Sequence, residues 1–271
     1  MHRKSDIATI LSIAVVVYAL ASFIHEGLGH GGACLAVGCQ PQLLTSMQFQ
    51  GDDKGLSIGA SKFISAGGAI ANLAAALAAI LLLRRHATIG PARWFFLWLF
   101  ATVNLLQATG YLLYSGFGGI GDWAAVVQGL TPAWLWRSGL AVIGGSTYWL
   151  VVRWSMRRLA GRLNATGSAR VAEANRYTVI SYCAGGGLSL LAGLFEPGGG
   201  IVVLISGAAA SLGGTSALAW GPQLLHDPAL GSPAAKPLLL DRDWRWISAA
   251  IVSAIFFVFV IGPGVRLHAG G

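Results

Sequence analysis

The chain has 271 residues, of which 55% are hydrophobic and 10% charged, with a formal charge of +8 and a mean hydropathy of +0.66. Those values exclude a soluble globular domain as the main mass of the chain, and no polar stretch is long enough to fold alone. Nucleic acid is excluded as the reason for the positive charge: the arginines lie in short segments beside apolar runs, where they set orientation and meet anionic lipid head groups.

The expected class is all-α, a polytopic helical bundle integral to a membrane and in contact with lipid. The first apolar run covers 7–24 and continues helically toward Val37. Its basic flank is like that of a signal peptide, but its length and its polar residues make it a retained span. The second run covers 63–83 and is stopped by Arg84, Arg85 and His86; the third covers 94–113. A Gly-rich polar segment, 114–132, follows. The fourth run is 133–152. The most basic stretch of the chain comes next, with Arg153, Arg157, Arg158, Arg162, Arg170 and Arg176 against the single acid Glu173. The fifth run is 177–194, broken from the sixth, 201–220, by Glu196, Pro197 and three glycines. A loop over 221–245 leads to the last run, 246–261.

Seven spans are expected, or six if the break at Pro197 is a re-entrant turn. Seven crossings put Arg3, Lys4, Arg84, Arg85, Arg93, the 153–176 stretch and the 236–245 loop on one side. The loops between runs on the other side hold only Lys54, Lys62 and Arg137. The N-terminus is therefore expected in the cytoplasm, in the inner (cytoplasmic) membrane of a bacterium. The whole chain, 1–271, reads as a single membrane domain. Its half 1–132 carries the motifs, and 133–271 adds further helices.

The chemistry lies at His25-Glu26-Gly27-Leu28-Gly29-His30. Two imidazoles and a carboxylate are expensive at membrane depth and mark an ion site, a proton path or a metal site. A buried helix–helix hydrogen-bond network is the plainer alternative. His25 stands 18 residues into the first run, about 27 Å along a helix, which places it toward the periplasmic face. Metal-hydrolase helices present HExxH, whose histidines four apart share a face while the glutamate activates water. Here the histidines are five apart, which on a regular helix separates them by about 140° and about 7.5 Å of rise. Gly27 and Gly29 permit two remedies. One π-type turn would bring position i+5 back under position i, or the helix would end near Gly27 and His30 would arrive from a loop.

A third ligand is expected from Asp122, because the glycines before it let the 114–132 segment bend back toward the bundle; Asp52 and Asp53 lie on the same side as alternatives. Asn104 and Gln107 share a face of the third run, where they bond helix to helix or frame the site. His86, His226 and His268 are expected at interfaces, and Tyr111, Tyr114, Trp123, Trp134 and Trp136 as interfacial anchors, with a wall of the site as the alternative for Trp123. Cys34 and Cys39 would form a local disulfide if they lie in a loop on the oxidising side; an unbroken helix would keep them apart.

Three ordered elements resemble the site-2 protease family of intramembrane zinc metalloproteases. His25-Glu26-Gly27-Leu28-Gly29-His30 is similar to its HExGH element. Ser65-Ala66-Gly67-Gly68-Ala69-Ile70-Ala71-Asn72 is similar to its Gly-Pro…Asn segment, with Gly68 where proline is usual. Asn104-Leu105-Leu106-Gln107 opens a stretch like its Asn…Pro…Leu-Asp-Gly element, with the acid later, at Asp122. The resemblance covers 25–123. It implies one zinc ion held by His25, His30 and Asp122, Glu26 as general base, and Asn72 as a residue that positions substrate or frames the site. The expected activity is a membrane-embedded, peptidase-like zinc hydrolase acting on a transmembrane or membrane-associated peptide. Two other readings stand beside it. One is a metallohydrolase directed at lipid; the other is a non-catalytic transporter or accessory subunit with a membrane-protein partner.

Overall fold

The computed structural model describes residues 4–85, 89–200, 211–230 and 237–267. The chain opens with α1 (Ile7–Phe23), capped by the Asp6 carboxylate, which accepts from the Thr9 amide at 2.9 Å. It continues without interruption through a π-helical segment, Ile24–Gly31, into α2 (Gly32–Ala36). Two strands follow, β1 (Gln40–Leu44) and β2 (Phe49–Asp52). Then come α3 (Ile58–Arg85), α4 (Pro91–Gly118), the short α5 (Asp122–Val127), α6 (Ala133–Ala160) and α7 (Gly167–Gly193). After the one-turn α8 (Ala217–Trp220) and two 3-10 turns, α9 (Trp244–Ile255) leads through a π turn, Phe256–Ile261, to β3 (Val265–Arg266).

The protein is mostly helical, and four helices among the described residues are long and apolar enough to cross a membrane: Ile7–Ala36, Ile58–Arg85, Pro91–Gly118 and Trp244–Ile261. These contain the expected first, second, third and last runs. The fourth and fifth fall on α6 and α7, which are 28 and 27 residues long but less apolar. Much of the sixth expected run, together with His86, His268, Lys236 and Arg3, lies outside the described residues.

Two segments between the expected runs are more helical than the apolar pattern alone implies. The 114–132 segment is not all loop: α4 continues to Gly118, and α5 forms immediately after Gly119–Gly121. The basic 153–176 stretch is mostly helix as well. Arg153, Arg157 and Arg158 belong to the end of α6, and Arg170 and Arg176 to the start of α7. Cationic side chains reach a membrane interface from helix ends as readily as from a loop.

The sheet has the order β2-β1-β3, and both pairings are antiparallel. Thr45 makes the tight turn of the hairpin, its hydroxyl accepting from the amides of Met47 and Gln48 at 3.1 and 3.0 Å. Gln42 is the additional residue of a bulge in β1, since Pro41 pairs with Gly51 and Leu43 with Gln50. The hairpin is tied to the helices by a disulfide between Cys34 and Cys39. Helix α2 stops at Ala36, and Gly38, at φ +81°, reverses the chain so that the two thiols meet. Gly51 makes room for them: a Cβ there would lie 2.6 Å from Cys39 Sγ and 2.9 Å from Cys34 Sγ.

Closing so short a loop stabilises by about 2 kcal/mol on chain-entropy grounds. Cys34→Ser is therefore expected to leave the helices intact while backbone amide exchange over 40–52 accelerates. Unchanged exchange across the hairpin would refute that role.

The apolar core joins α1, α4, α6 and α7 around Tyr18, Phe95, Trp98, Met156 and Tyr177. Two of the aromatic polar atoms inside it are paired: Trp98 Nε1 donates to Ser155 O at 3.1 Å, and the Tyr18 hydroxyl donates to Thr215 at 2.8 Å. Helices α4 and α6 touch through glycine, with Gly144 against the Leu113 backbone and Gly116 against Ala141. Close approach at small residues is how helices associate where apolar burial gives little advantage.

Candidate metal centre

The π turn answers the spacing problem posed by the sequence. A π turn carries one residue more than an α turn, so His25 and His30 face the same way, with their Nε2 atoms 3.3 Å apart and the rings meeting edge to face. Glycines make the distortion feasible by letting the turn lie directly on α3. A Cβ on Gly29 would fall 2.5 Å from Gly68 Cα, and one on Gly67 2.5 Å from Gly29 O. Backbone stacked on backbone holds the irregular segment in place.

Asp122 comes from the other side of the cluster. Helix α4 ends at Gly119 in the left-handed conformation (φ +67°), Gly121 also has positive φ (+88°), and Asp122 starts α5. Its Oδ2 lies 3.1 Å from His25 Nε2 and 3.5 Å from His30 Nε2. Burial would raise the Asp122 carboxyl, but the two imidazoles beside it outweigh that effect and hold it well below the ordinary carboxylate range.

The three atoms form a nearly equilateral triangle with sides of 3.1, 3.3 and 3.5 Å. Tetrahedral zinc with bonds of about 2.0–2.1 Å spaces its ligand atoms about 3.3 Å apart. Asp122 Oδ2 is also a buried atom without a hydrogen bond of acceptable geometry, as expected of an oxygen aimed at a shared point rather than at a proton. His30 Nδ1 lies 2.8 Å from Ile64 O. A carbonyl only accepts, so Nδ1 carries a proton, and in the neutral ring the Nε2 lone pair is left for a metal. These residues fit a divalent cation, and the donor set suits zinc.

Glu26 belongs to the same cluster. Ligand-type atoms of His25, Glu26 and His30 lie within 4.8 Å of one another. His25 and Glu26 are 5% and 7% exposed, so neither is an ordinary surface charge. The Phe49 amide of β2 is directed at the Glu26 carboxylate. Tyr111 stacks on His25, with ring centroids 5.0 Å apart and 27° between planes. A cavity of about 580 Å³ opens beside the cluster, lined among others by Glu26, His30, Tyr111, Asp122 and Phe49, Gln50 and Gly51 of β2.

The other expected site residues divide. Asn72 and Gln107 meet, the Asn72 amide donating to Gln107 Oε1 at 3.0 Å, and so tie α3 to α4. Asn72 is one helical turn beyond Gly68, and neither it nor Gln107 lines the cavity. Asn104 bonds back to Phe100 O on its own helix at 2.8 Å, its other amide atom buried and unpartnered. Asp52 and Asp53 accept from the Lys54 amide and the Ser61 hydroxyl, and Asp53 lines the same cavity as Glu26 and His30.

Sequence reasoning missed two parts of the site. Tyr111, read as an interfacial anchor, is a wall of the cluster. The hairpin was not anticipated at all: its strands are five and four residues long, too short for alternation to stand out. Gly38, Gly51 and the Thr45–Gln48 turn were the available signals.

The fold and site define a helical membrane protein whose first span carries a distorted His-Glu-His segment completed by a distant aspartate. No protein-family model, no curated protein and no solved structure matches the chain.

Proposed function

We propose that this protein is an integral-membrane, zinc-dependent hydrolase of the peptidase kind, related to the site-2 proteases. The observation that carries the reading is the convergence of His25 Nε2, His30 Nε2 and Asp122 Oδ2 within 3.1–3.5 Å of one another, with Glu26 in the same cluster. A bound zinc would supply Lewis acidity, lowering the pKa of a water it holds and drawing charge from a substrate carbonyl.

The remaining roles belong to the chain's own side chains. Glu26 accepts a proton from the attacking water and returns it to the departing amine. Ile64 O fixes the tautomer and orientation of His30. Tyr111 holds the plane of His25. Among the described residues strand β2 pairs with β1 alone, which leaves its outer edge unpaired there, and its residues Phe49, Gln50 and Gly51 line the cavity. Such an edge accepts an extended peptide through main-chain hydrogen bonds, which favours an amide substrate over a lipid ester.

Seven crossings with the N-terminus in the cytoplasm fit this arrangement. The end of α1 nearest Asp6 is bound to 237–243, for example by the Asp6 amide donating to Leu240 O at 2.7 Å. Strand β3 pairs with β1 at the opposite end, beside the cluster. A chain that starts at one end and finishes at the other crosses an odd number of times, and at about 1.5 Å per residue α6 and α7 are long enough to span. The cluster then faces the periplasm of a bacterial inner membrane, on the side where a Cys34–Cys39 disulfide persists.

Elemental analysis of the purified full-length protein tests the reading. One zinc per chain is expected in the wild type, and loss of most of it in His25→Ala and in His30→Ala. Unchanged metal content in either variant would remove that histidine from the ligand set. Turnover of a transmembrane peptide, but not of a phospholipid ester, would separate peptidase from lipid hydrolase.

A further inference from the structure

We propose that Arg137 is a positioning residue for Asp122, so that the helical half without motifs helps to build the metal centre; the proposal rests on the metal-site reading above. The last carbonyls of a helix have no partner within it. At the end of α4 the Gly119 amide satisfies Ser115 O at 3.0 Å. The next two carbonyls are met from outside, by a side chain of α6. Arg137 Nη2 donates to Phe117 O at 2.8 Å, and Arg137 Nε to Gly116 O at 3.3 Å. The guanidinium also lies against Gly119, where a Cβ would fall 3.1 Å from its central carbon.

Those contacts bear on the only stretch between α4 and the third ligand. Gly119, Ile120 and Gly121 separate the end of α4 from Asp122, and two of the three have positive φ. Glycines confer freedom as well as access to that conformation, so a carboxylate on such a tether is poorly fixed unless something clamps the turn. Arg137 provides the clamp, and its charge lies at the negative end of the α4 dipole. Among the described residues Arg137 has no carboxylate partner within ion-pair distance. Backbone contact reinforces the arrangement: a Cβ on Gly116 would lie 2.8 Å from Arg137 O and 2.6 Å from Ala141 N. The first turns of α6 are therefore seated on the end of α4.

Zinc affinity of the full chain in detergent, measured by chelator competition with zinc as the only probe, tests the proposal. Arg137→Ala is expected to weaken zinc binding by about 10-fold or more, the effect typical of residues that orient a metal ligand. The melting temperature of the metal-free protein should remain unchanged. Arg137→Lys keeps the charge but not the two-carbonyl fork, so it should recover part of the affinity; it also serves as the readout if the alanine variant does not fold. In an Asp122→Ala background, Arg137→Ala should cause no further loss, because a positioning residue acts only through the ligand it positions. Wild-type affinity in both Arg137 variants, or equal losses with and without Asp122, would overturn the proposal alone. A wild-type protein that binds no zinc would overturn the metal-site reading and this proposal with it.

Discussion

Gly68→Ala is expected to abolish zinc binding while leaving the helical bundle intact. A Cβ at that position would lie 2.5 Å from His25 Nε2, 2.6 Å from His25 Cε1 and 2.7 Å from His30 Nε2. Real Cβ atoms do not approach so closely, so both imidazole rings must turn away or α3 must move off the π turn. Neither adjustment is easy. The rings are confined by Tyr111 and by the bond from His30 to Ile64 O, and α3 is seated backbone to backbone on Gly29. Overpacking of this kind costs about 1–3 kcal/mol in a well-packed interior, which a large bundle tolerates. The ligand geometry does not tolerate it, and affinity is expected to fall more than about 100-fold, as for a ligand shell displaced by an ångström. Gly187→Ala is the control: nothing lies within 4 Å of a Cβ there, so zinc binding should be unaffected. Elemental analysis with circular dichroism on both variants decides the matter. A Gly68→Ala protein with full zinc content would show that the two imidazoles do not share an ion.

Glu26→Gln should separate binding from chemistry. Glutamine has nearly the same shape and keeps a carbonyl oxygen for the Phe49 amide, so the cluster should still take up one zinc per chain. It cannot accept a proton at working pH, and loss of a general base costs about 10²–10⁴-fold in rate. The expected outcome is full metal content with turnover of a transmembrane peptide reduced by that factor. The contrast with His30→Ala is diagnostic, because there metal and activity should disappear together. Turnover at the wild-type rate in Glu26→Gln would eliminate Glu26 as the base. Loss of metal in that variant would instead make Glu26 a ligand.

Much of the helical arrangement was legible because apolar runs are long and each carries its own signal. Runs expected at 63–83 and 94–113 became α3 (Ile58–Arg85) and α4 (Pro91–Gly118), each extended at both ends. The additions occur where polar and small residues continue a helix that hydropathy alone ends. Asp122 could be singled out because it follows glycines on the same side as His25. The π turn could be posed as one of two remedies for the His25–His30 spacing, but not chosen. The choice depends on Gly29 meeting Gly67 and Gly68, a contact between segments more than thirty residues apart. Asn104 could not be separated from Gln107 either, since both lie on one face; only the position of Asn72 distinguishes them.

By itself, then, the amino-acid sequence determined a helical membrane protein and the residue types capable of holding a cation, because hydrophobicity and ligand chemistry are properties of single residues and short runs. Tertiary structure decided that His25, His30 and Asp122 come together, that Tyr111 and β2 wall the cavity, and that Arg137 reaches the last carbonyls of α4. Those outcomes follow from close backbone packing at glycines and from pairing between distant segments, interactions whose partners no local pattern specifies.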